Sequence, residues 1–126
     1  ITLVEILSIL SLKEIKSMLE SEIQEKGLTF PRITPEHIAN LMSKLTYHQV
    51  VPEGTTTTIT TAFTKIGDCE FSLGTSIMAC VDKRNYNAEL GFKYGKEKAE
   101  AIAEDKLWEL EGYFLAKELA LQTLIK

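Results

Sequence analysis

Residues 79–95 read ACVDKRNYNAELGFKYG, and within them the sequence changes from one type of secondary structure to another. An apolar run ends here, a polar stretch follows, and two glycines, Gly91 and Gly95, then recur four residues apart. Asp82 or Asn87 can cap a helix, because a short side-chain oxygen accepts a hydrogen bond from a free backbone amide at a helix start. The stretch therefore predicts a strand that turns into a helix.

Upstream of this corner, the sequence is typical of a small sheet. Residues 47–51, 55–63 and 70–81 are rich in β-branched and aromatic residues, and turn signals at 52–54 and 67–68 separate them. Short turns between such runs predict a three-stranded antiparallel meander. The threonines of the second strand have two interpretations, as a solvated sheet face or as the wall of a polar pocket.

Helices are predicted before the sheet. In residues 2–26, two capping boxes predict a short helix followed by a longer one. The short piece, residues 3–10, is apolar nearly all round and must be buried on both sides, which favours a partner subunit about as much as an ordinary core position. Thr34-Pro35 then begins an amphipathic helix of about twelve residues.

A long helix is predicted after the corner. It runs from about residue 88 to residue 111, and Gly112 is expected to interrupt it before residues 113–126 resume it. Gly91 and Gly95 leave one helix face bare, although each glycine costs about 1 kcal/mol relative to alanine. We infer that another backbone or a ligand approaches that face.

Length and composition indicate a single α+β domain over residues 1–126, in which a small antiparallel meander packs against one long and several shorter helices. The net charge of −4 argues against general DNA binding. No apolar run approaches the roughly twenty residues that span a bilayer. Cys69 and Cys80 are expected to be reduced cytosolic thiols rather than a disulfide.

No enzyme motif is legible in the chain. It has no P-loop, no dinucleotide fingerprint and no Cys-x-x-Cys. His48 has no second ligand at metal-binding spacing, and the carboxylates between residues 97 and 105 are typical of a solvated helix face. The sequence therefore favours a binding module without cofactor or metal over an enzyme.

The corner is the strongest candidate for a ligand site. Arg84 next to a helix start predicts an anion site, because free amides and the helix dipole add to the side-chain charge. Phe71 and Tyr86 are aromatic residues that can stack on a base. Thr75, four residues after Phe71, is expected to present its hydroxyl on the same face. A capped helix with solvent-facing basic residues is the alternative interpretation.

Several segments resemble the phage gene-product-49 family. They are RITPEHI at 32–38, GTTTT at 54–58, ACVDKRNYNAELG at 79–91 and KLWELEGY at 106–113. The resemblance covers residues 32–115, and residues 1–27 form a helical extension outside it. The sequence is also similar to the first family of Thoeris anti-defence proteins of phages. Those proteins bind the cyclic ADP-ribose isomer made by bacterial TIR-domain enzymes without degrading it, and some relatives bind cyclic oligonucleotides of CBASS defence.

This second resemblance implies a function and a set of site residues. It implies a sponge for cyclic nucleotides in the cytoplasm of the infected bacterial host, assembled through dimers into hexamers with shared ligand sites. Gly91 and Gly95 would then admit the second protomer. Lys96, Lys98 or Lys106 is expected to replace an arginine at the phosphates. The implied ligand-binding residues are Phe71, Thr75, Arg84, Asn85, Tyr86, Lys96 and Lys106. The alternative is a phage accessory protein that acts by protein–protein interaction.

Overall fold

The computed structural model describes residues 12–28 and 30–125 and has an α+β fold. The predicted short helix at the start of the chain lies outside the described residues. The elements in chain order are helix α1 (Leu12–Glu25), helix α2 (Pro35–Met42), strands β1 (Thr46–Val50), β2 (Thr57–Ile66) and β3 (Cys69–Ala79), a 3-10 turn (Lys83–Asn85) and helix α3 (Ala88–Ile125).

The predicted antiparallel meander is confirmed. The strand order is β1-β2-β3, and both pairings are antiparallel. Gly54 and Gly67 adopt positive φ in the two connections, a conformation that glycine reaches without a Cβ clash. The ladder contains a β-bulge: Ala62 pairs with Gly74 while Phe63 pairs with Ser72, so Leu73 has no partner on β2. Because of this extra residue, the side chains that face one side of the sheet have even numbers on one side of the bulge and odd numbers on the other.

Helix α3 lies across one face of this sheet, which we call the inner face. At one end of the contact, apolar side chains form the core, with Ile38, Leu73 and Leu107 almost fully buried. At the end next to the corner, Thr58, Thr60 and Ser76 are each at most 1% exposed. Of the two interpretations of these threonines, the solvated sheet face is therefore wrong for Thr58 and Thr60. Strand alternation turns them towards α3, which covers them.

Two predicted helix boundaries differ from the structure. Helix α3 is one continuous helix of 38 residues, so the interruption expected at Gly112 is wrong. A glycine lowers helix stability by about 1 kcal/mol but keeps its backbone hydrogen bonds, and the neighbouring Leu, Glu, Ala and Lys residues favour the helix. Helix α2 has eight residues rather than about twelve. It ends at Met42, and Leu45 packs on the core from the following connection.

An ion pair between Glu20 and Arg32 joins helix α1 to the segment before α2. Helix α2 begins as predicted, because Thr34 accepts a hydrogen bond from the His37 amide and Pro35 is the first helical residue. His37 Nε2 lies 3.3 Å from Glu111 Oε1, which links α2 to α3. Among the described residues, no helix is both long and apolar enough to cross a membrane.

Candidate ligand-binding site

The corner between β3 and α3 is built from two successive caps. Asp82 Oδ1 accepts a hydrogen bond from the Arg84 amide at 2.9 Å and thereby caps the 3-10 turn. Asn87 Oδ1 accepts one from the Leu90 amide at 3.1 Å and caps α3. Both residues predicted as caps are used, one for each turn. The chain therefore reverses direction within eight residues, from Cys80 to Asn87.

A cavity of about 160 Å³ lies in this corner, between the end of the sheet and the first turns of α3. Met78, Leu90 and Gly91 contribute to its apolar lining. Its polar lining combines three kinds of group: amides, phenols and hydroxyls. These groups belong to Asn85, Asn87, Tyr86, Tyr94, Thr56 and Thr58. Among the described residues that line it, none carries a charge.

Charge lies beside the cavity rather than in its lining. The Arg84 guanidinium is paired with Asp82, with Nη2 at 2.6 Å from Oδ2 and Nε at 3.1 Å from Oδ1. The side-chain hydrogen bond from Arg84, followed by the backbone one, lowers the pKa of Asp82 below its ordinary value. The same pairing raises the pKa of Arg84. The Arg84 side chain is 88% exposed, so this pair faces solvent.

The structure brings only part of the predicted site together within one chain. Asn85 and Tyr86 line the cavity, and Arg84 precedes them in the 3-10 turn. Lys96 instead lies with its Nζ 5.0 Å above the ring centre of Tyr47, on β1.

The other three predicted site residues, Lys106, Phe71 and Thr75, also lie away from the corner cavity. Lys106 is nearly three turns further along α3 than Lys96, with its Nζ 3.6 Å from Glu109. Phe71 lines a different, apolar cavity with Leu107 and Phe114.

Thr75 and Phe71 are on opposite faces of the sheet, which contradicts the expectation that they share one. Thr75 Oγ1 lies 3.0 Å from Thr61 Oγ1 on the outer face, which helix α3 does not cover. Phe71 is on the inner side, because the bulge at Leu73 lies between the two residues and reverses the alternation. Gly74, next to the unpaired Leu73, was the available signal, because an isolated glycine inside a strand indicates a bulge or a close backbone approach.

The two glycines of α3 face the chain's own sheet. A Cβ at Gly91 would lie 2.6 Å from Thr58 Oγ1, and one at Gly95 would lie 2.8 Å from Thr60 Oγ1. A close approach to this face is found, but threonine side chains make it rather than another backbone or a ligand, and the expectation that the face admits a second protomer is wrong. Strand β2 already occupies it.

Tyr94 is a lining residue that the sequence interpretation missed. It lies one turn after Leu90 and Gly91 on α3, so the periodicity of the predicted helix was the available signal. Cys80 also lines the cavity, and its thiol donates to the Asp82 carbonyl oxygen at 2.9 Å. Both Cys69 and Cys80 are free thiols. Within the described part of the chain, no group of three or more His, Cys, Asp and Glu residues is arranged to hold a metal.

The sequence model of a protein family, the phage protein (N4 Gp49/phage Sf6 gene 66) family, matches residues 33–119 of the chain. The chain belongs to this family. The match includes α2, the sheet, the corner and most of α3, whereas α1 lies outside it. No curated protein and no solved structure matches the chain significantly.

Proposed function

We propose that this phage-family protein is a sponge that sequesters cyclic nucleotide signals of bacterial defence. The ligand class is a cyclic ADP-ribose isomer of Thoeris defence or a cyclic oligonucleotide of CBASS, bound in the cytoplasm of the infected host. The observation that carries the proposal is the corner cavity, where Asn85, Asn87, Tyr86 and Tyr94 surround an apolar floor.

The chemistry of these side chains suits a nucleotide. A carboxamide offers both donors and an acceptor, so Asn85 and Asn87 can pair with the edge of a base or with ribose hydroxyls. A tyrosine ring provides a stacking surface, and stacking on an aromatic side chain is worth about 1–3 kcal/mol per base. The first amides of α3 and the guanidinium of Arg84 lie beside the cavity and favour a phosphate there.

The size of the cavity supports a site completed by a second copy of the chain. About 160 Å³ is enough for roughly one aromatic ring, whereas whole ligands occupy pockets of about 300–1,000 Å³. We therefore propose a homo-oligomer, and the resemblance to Thoeris anti-defence proteins implies a dimer that builds a hexamer. Phe71, Thr75, Lys96 and Lys106 then contact the ligand from a neighbouring copy or take no part in binding. A clean monomer by light scattering at micromolar concentration would contradict the shared site.

Sequestration without chemistry is the second part of the proposal. Hydrolysis of a pyrophosphate or glycosidic bond needs a metal or a positioned acid and base. The Asp82 carboxylate, beside the cavity, accepts hydrogen bonds from the Arg84 guanidinium and the Arg84 amide. The lining amides and phenols bind a ligand but are poor general bases at neutral pH. These features favour a binding protein over an enzyme.

Thermal shift with a panel of cyclic nucleotides tests the proposal directly. A ligand at one hundred times its Kd stabilises the native state by about 2.7 kcal/mol. Asn85→Ala should weaken binding by about 1–3 kcal/mol, because a buried hydrogen bond to the ligand is lost. Asn40→Ala is the matched control, since Asn40 is exposed on α2 away from the cavity. Equal binding by both variants and the wild type would exclude the corner as the site.

The fate of the ligand separates a sponge from an enzyme. After hours of incubation with and without magnesium, followed by heat denaturation, chromatography should recover the ligand intact and in stoichiometric amount. Linear ADP-ribose or mononucleotides that accumulate with time would contradict sequestration. Binding should also depend weakly on salt compared with the steep dependence of a DNA-binding protein.

A phage accessory protein that acts by protein–protein interaction is the second candidate. The observation that favours it is an apolar cavity of about 430 Å³ at the other end of the sheet, where Ile66, Phe71 and Phe114 are 48–61% exposed. Exposed apolar side chains of this kind mark interaction surfaces. Two results together would replace the first function with this one. The wild type would bind no cyclic nucleotide, and Phe114→Ser would abolish the effect of the protein in the infected host.

A further inference from the structure

The first two turns of α3 are attached to the sheet by side chains that donate to backbone carbonyls. Gln49 Nε2 donates to the Phe92 carbonyl oxygen at 2.7 Å and to Thr60 Oγ1 at 3.0 Å. Ser76 Oγ donates to the Gly95 carbonyl oxygen at 2.7 Å. The two donors come from opposite edge strands, β1 and β3, so the helix is attached on both sides of β2.

These hydrogen bonds depend on Gly91 and Gly95, the two positions where the helix has no side chain towards the sheet. A side chain at Gly95 would meet Thr60 Oγ1 at 2.8 Å and come within 3.9 Å of Gln49 Nε2, so the helix would have to move away from the sheet. Ser76 is only 1% exposed. Because a buried donor or acceptor without a partner is costly, this end of the contact is stable only when the hydrogen bonds are made.

The same two turns form one wall of the corner cavity. Leu90, Gly91 and Tyr94 contribute that wall, whereas Gln49 and Ser76 do not line the cavity. Both donors lie behind the wall, on the sheet side of the helix. Removing either donor would therefore free the wall to shift while every group that lines the cavity is kept.

We propose that Gln49 and Ser76 are positioning residues of the cavity, which hold the first two turns of α3 in the arrangement that binds the ligand. This inference rests on the proposed function, in which the corner cavity is the nucleotide site. When only a fraction of the molecules has the wall in place, the apparent Kd rises by the inverse of that fraction. The two residues set affinity without touching the ligand.

Hydrogen exchange and ligand titration of two variants test this role. Gln49→Met keeps the length of the side chain and removes its donor, and Ser76→Ala removes the hydroxyl. Thr123→Val is the matched control, because the exposed Thr123 hydroxyl also donates to a backbone carbonyl of α3, that of Leu119, at the far end of the helix. We expect amide exchange in residues 88–98 to become at least about fivefold faster in both variants and to stay unchanged in the control, the effect of losing one hydrogen bond. Exchange in residues 103–110 should change little.

The Kd for a cyclic ADP-ribose isomer should rise in the same two variants and not in the control, by up to about fivefold, the limit that the loss of one hydrogen bond sets. Unchanged exchange in residues 88–98, or faster exchange with an unchanged Kd, would overturn the positioning role. If the wild type binds no member of a cyclic nucleotide panel, the proposed function fails, and the exchange measurement still decides whether the two donors hold the helix. Gln49 is at an edge strand and only half buried, so Gln49→Met provides the test if Ser76→Ala does not fold.

Discussion

The two ends of the contact between α3 and the sheet are packed on different principles. At the end near α2, Leu73 and Leu107 fill the space between helix and sheet with apolar side chains. At the corner end, Gly91 and Gly95 let the helix approach buried hydroxyl groups, and hydrogen bonds replace apolar bulk. Both ends belong to one continuous helix, so the comparison isolates the packing itself.

This difference separates stability from function within one helix. Apolar packing contributes in proportion to the area buried and tolerates small shifts, because it has no direction. Hydrogen-bonded packing contributes only when donor and acceptor are aligned, so it fixes the position of the helix more sharply. The corner cavity adjoins the hydrogen-bonded end. We therefore expect substitutions at the apolar end to change mainly the free energy of unfolding, and substitutions at the corner end to change the shape of the cavity as well.

The largest effect on stability is expected from Leu107→Ala. Leu107 is 4% exposed, and truncation of a buried leucine costs about 2–5 kcal/mol through lost burial and the cavity that remains. Leu121→Ala, at a position 58% exposed on the same helix, should stay within about 0.5 kcal/mol. Urea unfolding measures both. A cost below about 1 kcal/mol for Leu107→Ala would mean that the apolar end does not carry the stability of the domain.

A pair of identical substitutions measures the close contact at the corner end. Gly112→Ala should stabilise the protein by about 0.5–1 kcal/mol, because its Cβ would meet nothing within 4 Å and alanine favours the helix. Gly95→Ala gains the same helix propensity but places a Cβ 2.8 Å from Thr60 Oγ1, so it should cost about 1–3 kcal/mol. Thermal denaturation of the two variants gives the difference. If both stabilise the protein, the corner end is loosely packed and the comparison fails.

Local signals in the sequence predicted much of the fold. Thr34 with Pro35, and Asp82 with Asn87, cap their turns because short polar side chains act on amides a few residues away. Gly67 marks the β2–β3 turn for a similarly local reason. The strands and the α+β class follow from such signals.

The parts that the sequence did not predict depend on contacts between distant residues. A threonine in a strand suits a solvated face, and Thr58 and Thr60 are buried only because a helix with two glycines covers them. Thr75 and Phe71 are on different faces because of one unpaired residue, Leu73, in the middle of β3. For the site, neighbours in sequence such as Asn85 and Tyr86 were placed together correctly. Residues from separate elements were not.

The smallest effect concerns the charge pair beside the corner and its dependence on pH. Arg84 lowers the pKa of Asp82 below its ordinary value of 3.8, so in the folded protein the carboxylate stays ionised to lower pH than in the unfolded chain. The cap therefore contributes stability that is fully present above about pH 4 and is lost as the pH falls through the folded pKa. Asp82→Asn should lower Tm slightly at pH 7, and the difference from the wild type should shrink as the pH falls below 4. The Arg84 side chain is 88% exposed and the Asp82 side chain 39%, so salt should reduce the difference as well. A difference that persists unchanged at pH 2 would show that the carboxylate charge is irrelevant to the cap, and the corner would then depend on Asn87 and the donors behind α3 alone.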